Sequence, residues 1–146
     1  MINLKEPIVI GFYGKSESGK TFLIERIIRK LSDDGYRIAS IKKTNKKISI
    51  DNEGKDTSRF GKAGAGLVVL ASPVEISYLV KEENEINNII QHIKQLGKYN
   101  FIFIEGANEK QIRKIRLGNI QERENTMFTY DGDLKKLIKM IKNIEF

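Results

Sequence analysis

The eight residues Gly14-Lys15-Ser16-Glu17-Ser18-Gly19-Lys20-Thr21 have the types and spacing needed to hold a chain of phosphates. They satisfy every fixed position of G-x-x-x-x-G-K-[ST], the Walker A or P-loop pattern. Gly14 and Gly19 allow backbone conformations that a side chain would block, so that successive N–H groups converge on phosphate oxygens. Lys20 supplies a cation to the β- and γ-phosphates. The Thr21 hydroxyl supplies one of the few protein ligands of a Mg²⁺ that otherwise keeps waters and phosphate oxygens. Lys15, Ser16 and Ser18 act mainly through their backbone, and Glu17 and Phe22 complete the nucleotide-binding stretch.

Glu105 ends the apolar run 101–104, where a fold of this type needs an acid near the metal or the attacking water. We read Lys20 and Glu105 as catalytic and Thr21, Glu105 and Asp56 as metal-related. Asp51, Lys55 and Asp56 sit in or just after a polar, lysine-rich stretch, where an acid reaches Mg²⁺ or caps a helix. For Asp56 the residues leave both roles open. The sole histidine, His92, falls on the polar side of a helical pattern and reads as a surface residue.

These residues must be positioned by an α/β fold. Residues 7–13 form a continuous apolar run, the pattern of a strand buried on both faces. It enters the glycine loop directly, and Leu23, Ile24, Ile27, Ile28 and Leu31 then recur at helical spacing before Gly35. Residues 36–41 read as a second strand, 42–55 as a long functional loop, 56–65 as a short helix, and 67–71 as another buried strand. Residues 76–80 suggest a further strand. Ile86, Ile89, Ile90, Ile93 and Leu96 mark a helix closed by Gly97; 101–104 is a central strand. Short strands at 114–117 and 126–130 flank a charged turn, and Leu134, Leu137, Ile138, Ile141 and Ile144 line a last helix. Strands alternating with helices predict a P-loop NTPase-type layer fold with a mainly parallel sheet and flanking helices. The length of 146 residues predicts a single domain, 1–146, with a substantial core.

Zero cysteines exclude disulfides and thiolate metal sites. No apolar run has the length of a membrane span and no secretory pattern is present, so a cytoplasmic location is expected. With 26 basic and 19 acidic side chains the net charge is +7, which favours anionic partners. The basic residues are spread along the chain without a DNA-binding motif or an aromatic-rich basic stripe, which argues against nucleic acid.

Taken together, Gly14 to Thr21, Asp51-Asn52-Glu53-Gly54-Lys55-Asp56-Thr57-Ser58-Arg59-Phe60, Ala63-Gly64-Ala65 and Ile104-Glu105-Gly106 resemble one family. It is molybdopterin-guanine dinucleotide biosynthesis protein B, MobB, and the resemblance spans about residues 7–117. The resemblance implies a homodimeric GTP-binding protein with weak Mg²⁺-dependent GTPase activity. Such a protein assists a MobA-like nucleotidyltransferase in joining GMP to molybdopterin, itself a further candidate ligand. It points to the P-loop, Lys42, the segment 51–56 and Glu105 as the site. The chain departs from the family where histidines often follow the second strand: Lys42-Lys43-Thr44-Asn45 has none. The base-reading motif N-K-x-D is also absent, since Ile48 follows Asn45-Lys46-Lys47, so GTP is an implication of the resemblance alone. Two alternatives stay open from the residues. One is an ATP-dependent small-molecule kinase with Arg113, Arg116 and Arg123 as a lid. The other is a binding module that uses nucleotide only to stabilise its fold or dimer.

Overall fold

A computed structural model describes residues 6–145 of the chain. The elements are β1 (Ile8–Tyr13), α1 (Lys20–Asp33), β2 (Ile38–Lys42), α2 (Asp56–Lys62), β3 (Leu67–Ala71), β4 (Ile76–Val80), α3 (Ile86–Leu96), β5 (Phe101–Glu105), β6 (Arg113–Arg116), β7 (Thr126–Thr129) and α4 (Leu134–Lys142). They gather into two compact units, one made by the chain up to Thr44 and from Ile90 onward, the other by Asn45–Ile89.

The first unit carries a five-stranded sheet in the order β2-β5-β1-β6-β7, every neighbouring pair parallel. This is the mainly parallel sheet expected from the alternation of strands and helices. Burial on both faces explains the unbroken apolar run of β5: Phe101, Ile102, Phe103 and Ile104 are all at most 1% exposed. Ile8, Ile10, Phe12, Phe101 and Phe103 join Leu23, Ile27 and Leu31 of α1 and Leu137, Ile138 and Ile141 of α4 in one core. Phe12 and Phe103 meet edge to face at 5.5 Å, a favourable aromatic geometry.

Local chemistry sets the end of α1 and the start of α4. Gly35 adopts φ +90°, and the Tyr36 amide returns to the Leu31 carbonyl at 3.0 Å, closing α1 where the sequence placed its stop. Asp133 caps α4 by accepting from the Lys136 amide at 3.1 Å.

The connection from β5 to β6 crosses the face of β1 at Gly11. A methyl group built on Gly11 would stand 2.5 Å from Cβ of Ala107 and 3.3 Å from Cγ2 of Ile112. Only the missing side chain lets residues 106–112 pack there. Lys114 is fully buried beneath this connection and donates to the carbonyls of Ile112 at 2.7 Å and Glu124 at 2.8 Å, as well as to that of Glu109. Burial pushes its ammonium below the ordinary lysine range, and the three carbonyls compensate its desolvation.

In the second unit, β3 and β4 form a separate two-stranded antiparallel sheet. The expectation that residues 67–71 are a buried strand is corrected here. The strand exists with the expected bounds, yet of its five residues only Val68 is buried, and Leu67 is 54% exposed. A β-rich apolar run has the same composition whether a sheet covers it or not. No helix among the described residues is long and apolar enough to cross a membrane.

Gly11→Ala is expected to destabilise the fold by about 2 kcal/mol, the cost typical of overpacking a tight contact. Urea unfolding followed by circular dichroism measures it, and a midpoint unchanged from the parent would contradict the crossing at Gly11.

Candidate functional site

The P-loop begins where β1 ends. Tyr13 is buried, and its carbonyl accepts from the Leu117 amide at 2.8 Å, fixing the strand end against the residue that follows β6. Gly14 turns the chain in a space with no room for Cβ, which would lie 2.8 Å from the Leu117 carbonyl oxygen and 2.8 Å from Ser18 Oγ. Glu17 at φ +64° and Gly19 at φ +88° bend the loop, and the Ser18 amide donates to the Lys15 carbonyl at 3.1 Å. Gly19 occupies the N-cap of α1 without a side-chain bond, so the helix presents its amides and its positive end to the loop.

Lys20 folds back over this loop. Its Nζ donates to the carbonyls of Gly14 and Lys15, both at 2.8 Å. Lys15, Ser16, Glu17 and Ser18 are exposed along the rim. Phe22, 64% exposed one residue past Thr21, lies beneath the Arg26 guanidinium at 5.4 Å.

Glu105 ends β5, beside β1 in the sheet, and the Thr21 hydroxyl points to its Oε1 at 3.5 Å. Lys42 stands opposite Glu105 in the β2–β5 register. Gly106 lets the chain turn away at once: its φ is +85°, and a Cβ there would lie 2.9 Å from the Lys43 carbonyl oxygen. Thr21, Lys42 and Glu105 supply polar lining to a cleft of about 280 Å³ whose walls include Ile24, Ile28, Ile41 and Phe103.

The first unit thus brings together the P-loop, Lys42 and Glu105. Asp51, Lys55 and Asp56 belong to the second unit. There the Asp51 side chain, 5% exposed, accepts from the Thr57 hydroxyl at 2.7 Å and from Lys81 Nζ at 3.3 Å. The Thr57 bond, with the Lys81 cation, holds its carboxyl below the usual carboxylate range. Lys55 takes the N-cap position of α2, so Asp56 is the first helical residue and not the cap. The capping alternative for Asp56 is therefore replaced by an acid in the first turn, where it complements the helix dipole.

The three arginines considered as a lid are engaged elsewhere. Arg113 donates to the Glu145 carbonyl at 2.7 Å, Arg116 to Thr129 Oγ1 and the Ile120 carbonyl, both at 2.8 Å, and Arg123 to the Ala107 carbonyl at 2.7 Å. His92 is exposed, as its place on the helix suggested. No group of three or more His, Cys, Asp or Glu side chains that could hold a metal exists among the described residues. The oxygens of Thr21 and Glu105 are hard donors, which suits a Mg²⁺ bound by few protein groups.

The family model for molybdopterin guanine dinucleotide synthesis protein B matches residues 9–143. The chain belongs to the MobB family. It is 30% identical over 112 residues to the molybdopterin-guanine dinucleotide biosynthesis adapter protein of Escherichia coli strain K12, covering 75% of this chain and 64% of that protein. A Methanocaldococcus jannaschii protein provisionally given the same name is 40% identical over 103 residues, 69% of this chain and 41% of its own length. This MobB-family chain therefore spans less than two thirds of these relatives. Its fold is that of the Bacillus subtilis MobB crystal structure, with a TM-score of 0.72 at 20% identity over 93% of this chain and 96% of that one.

Gly106→Ala forces a side chain into a left-handed conformation against the Lys43 carbonyl. It is expected to cost about 1–3 kcal/mol. Thermal unfolding reads this as a drop of several degrees, and an unchanged midpoint would show that the turn after Glu105 is less constrained than described.

Proposed function

We propose that this MobB-family chain is a Mg²⁺-dependent GTP-binding adapter in molybdopterin-guanine dinucleotide synthesis, with slow GTPase activity. In this reading residues 1–146 act as one nucleotide-binding domain in the cytoplasm and serve a MobA-like nucleotidyltransferase. The observation that carries the nucleotide part is the Lys20 ammonium, held at 2.8 Å by the carbonyls of its own loop, next to the Thr21–Glu105 pair. Guanine and the pathway rest on family membership and on the names of the relatives.

The chemistry follows from the chain's own groups. Lys20 exchanges its two carbonyl acceptors for β- and γ-phosphate oxygens and keeps its charge, so it stabilises negative charge as it develops on the transferring group. Thr21 and Glu105 would hold Mg²⁺, which when bound neutralises charge on the same phosphates. Glu105 also accepts from the attacking water and orients it. Lys42, opposite Glu105 in the sheet, serves the nucleotide and its metal in this reading. The adapter role requires that the triphosphate and diphosphate states differ in affinity for the partner. The kinase reading loses its lid, because all three arginines are bonded within the fold.

Titration calorimetry with non-hydrolysable GTP and ATP analogues in Mg²⁺ tests the reading, with preference for the GTP analogue expected. Lys20→Ala is expected to weaken binding at least about tenfold, the loss of a charge-assisted contact, with an unchanged circular dichroism spectrum. Equal affinity in that variant would overturn the P-loop assignment, and preference for ATP would overturn the guanine part.

Homodimer formation draws support from the β3–β4 ribbon, where Leu67, Val69, Ile76, Tyr78 and Val80 are each 45% or more exposed. Two strands alone are marginal in water, and exposed apolar ribbons mark association surfaces. The double variant Val69→Lys, Tyr78→Lys is expected to run as a monomer in light scattering while the parent runs as a dimer; a dimeric variant would remove the ribbon from the interface.

A further inference from the structure

Arg123 lies outside the P-loop and outside the strand that carries Glu105, yet it touches both neighbourhoods. Its Nη1 donates to the Ala107 carbonyl at 2.7 Å, two residues beyond Glu105. Its guanidinium carbon stands 4.7 Å from the ring centroid of Tyr13, the residue before Gly14. The Arg123 amide donates to the Tyr13 hydroxyl at 2.9 Å. Thr126 Oγ1 uses its proton on the Arg123 carbonyl at 2.6 Å, so the Tyr13 hydroxyl is the donor in its own 2.6 Å bond to Thr126. No buried side-chain nitrogen or oxygen among the described residues lacks a partner, and Tyr13 is only 1% exposed. Sheltered bonds of this kind fix geometry more firmly than exposed ones.

At residues 105 and 106 the acid's turn is held by backbone bonds, and side chains of Lys43 and Lys114 hold it further on, at Glu109. Gly106 N–H donates to the Phe12 carbonyl at 2.9 Å, and Lys43 N–H to the Glu105 carbonyl at 3.0 Å. Ala107 is fully buried, so its carbonyl depends on the arginine as a charged donor. Thr21 and Glu105 come from different segments, and a metal-ligand pair must be held to about 0.5 Å to work.

We propose that Arg123 is a positioning residue for the metal end of the site: by clamping the Ala107 carbonyl to the Tyr13 ring, it holds the Glu105 carboxylate against the Thr21 hydroxyl. The proposal rests on the nucleotide-binding reading above. It assigns the clamp to the Mg²⁺-dependent part of nucleotide affinity, and leaves to Lys20 and the loop amides the part that needs no metal.

The test is calorimetry of a non-hydrolysable GTP analogue in Mg²⁺ and in EDTA, on the parent chain and on Arg123→Ala, Arg123→Lys and Tyr13→Phe. Arg123→Ala is expected to lose about tenfold of the gain that Mg²⁺ gives, the usual loss when the support of a metal ligand is removed, while its affinity in EDTA moves by less than about twofold. Arg123→Lys restores part of the gain, because an ammonium still reaches a carbonyl but lacks the planar fork. Tyr13→Phe keeps the ring and removes the hydroxyl, and shifts the same ratio by a smaller factor. It decides the matter if Arg123→Ala does not fold. A full Mg²⁺ gain in both Arg123→Ala and Tyr13→Phe, or equal losses in Mg²⁺ and EDTA, would overturn the clamp while leaving nucleotide binding intact. A parent chain that binds neither analogue would instead sink the nucleotide reading, and the clamp with it.

Discussion

The absence of a side chain at Gly11 is the constraint on which the first unit depends. The segment between β5 and β6 must pass over β1, and it packs so close that one methyl group would meet Ala107 at 2.5 Å. That crossing lets β1 sit between β5 and β6 with all three strands parallel. Their carboxyl ends then lie side by side, where ligands bind in open parallel sheets. The P-loop leaves one of these ends and Glu105 closes another. A bulkier residue at position 11 would act first on the crossing and only through it on the site.

Cations do structural work around this crossing. Lys114 is buried among carbonyls, Arg113, Arg116 and Arg123 bond carbonyls or a hydroxyl, and Lys43 donates to Glu109. Much of the positive charge on the β6 side is thereby committed to holding backbone that has no helix or strand to satisfy it, as buried carbonyls require. Lys20 differs in kind. Its two acceptors belong to a loop whose glycines and helix end are built to receive an anion, so phosphate can replace them without unravelling a neighbouring element.

The P-loop, the strand before it and the helix after it were legible because each rests on local rules: fixed glycines, an apolar run and a 3.6-residue period. Glu105 was legible for the same reason, as the residue that stops a buried strand. Lys114 was not. In Arg113-Lys114-Ile115-Arg116 it reads as one more solvated lysine, and its burial is set by carbonyls from Glu109 and Glu124 that only the tertiary fold brings near. Arg123 entered only the alternative kinase reading, as a lid residue, because its sequence position says nothing of Tyr13, 110 residues earlier. The β3–β4 ribbon misled in the opposite sense. Its apolar residues predicted a buried strand, whereas hydrophobicity reports a need for cover and not where the cover comes from.

The segment 51–57 shows how the spacing of a family motif can be set by loop geometry. Its first acid, Asp51, and its hydroxyl residue, Thr57, bond each other at 2.7 Å across a turn in which Gly54 takes φ +84°. Lys81 adds a second hold on the same carboxylate. The spacing of Asp51, Gly54 and Thr57 is therefore explained inside the second unit by loop closure, with an acid, a left-handed glycine and a hydroxyl each required for geometry. Lys55 closes the same turn through its amide, which donates to the Asn52 carbonyl at 3.5 Å, and the side chains of Lys55 and Asp56 stand exposed at the start of α2. Three positions of the motif thus have a structural reason that holds independently of any ligand.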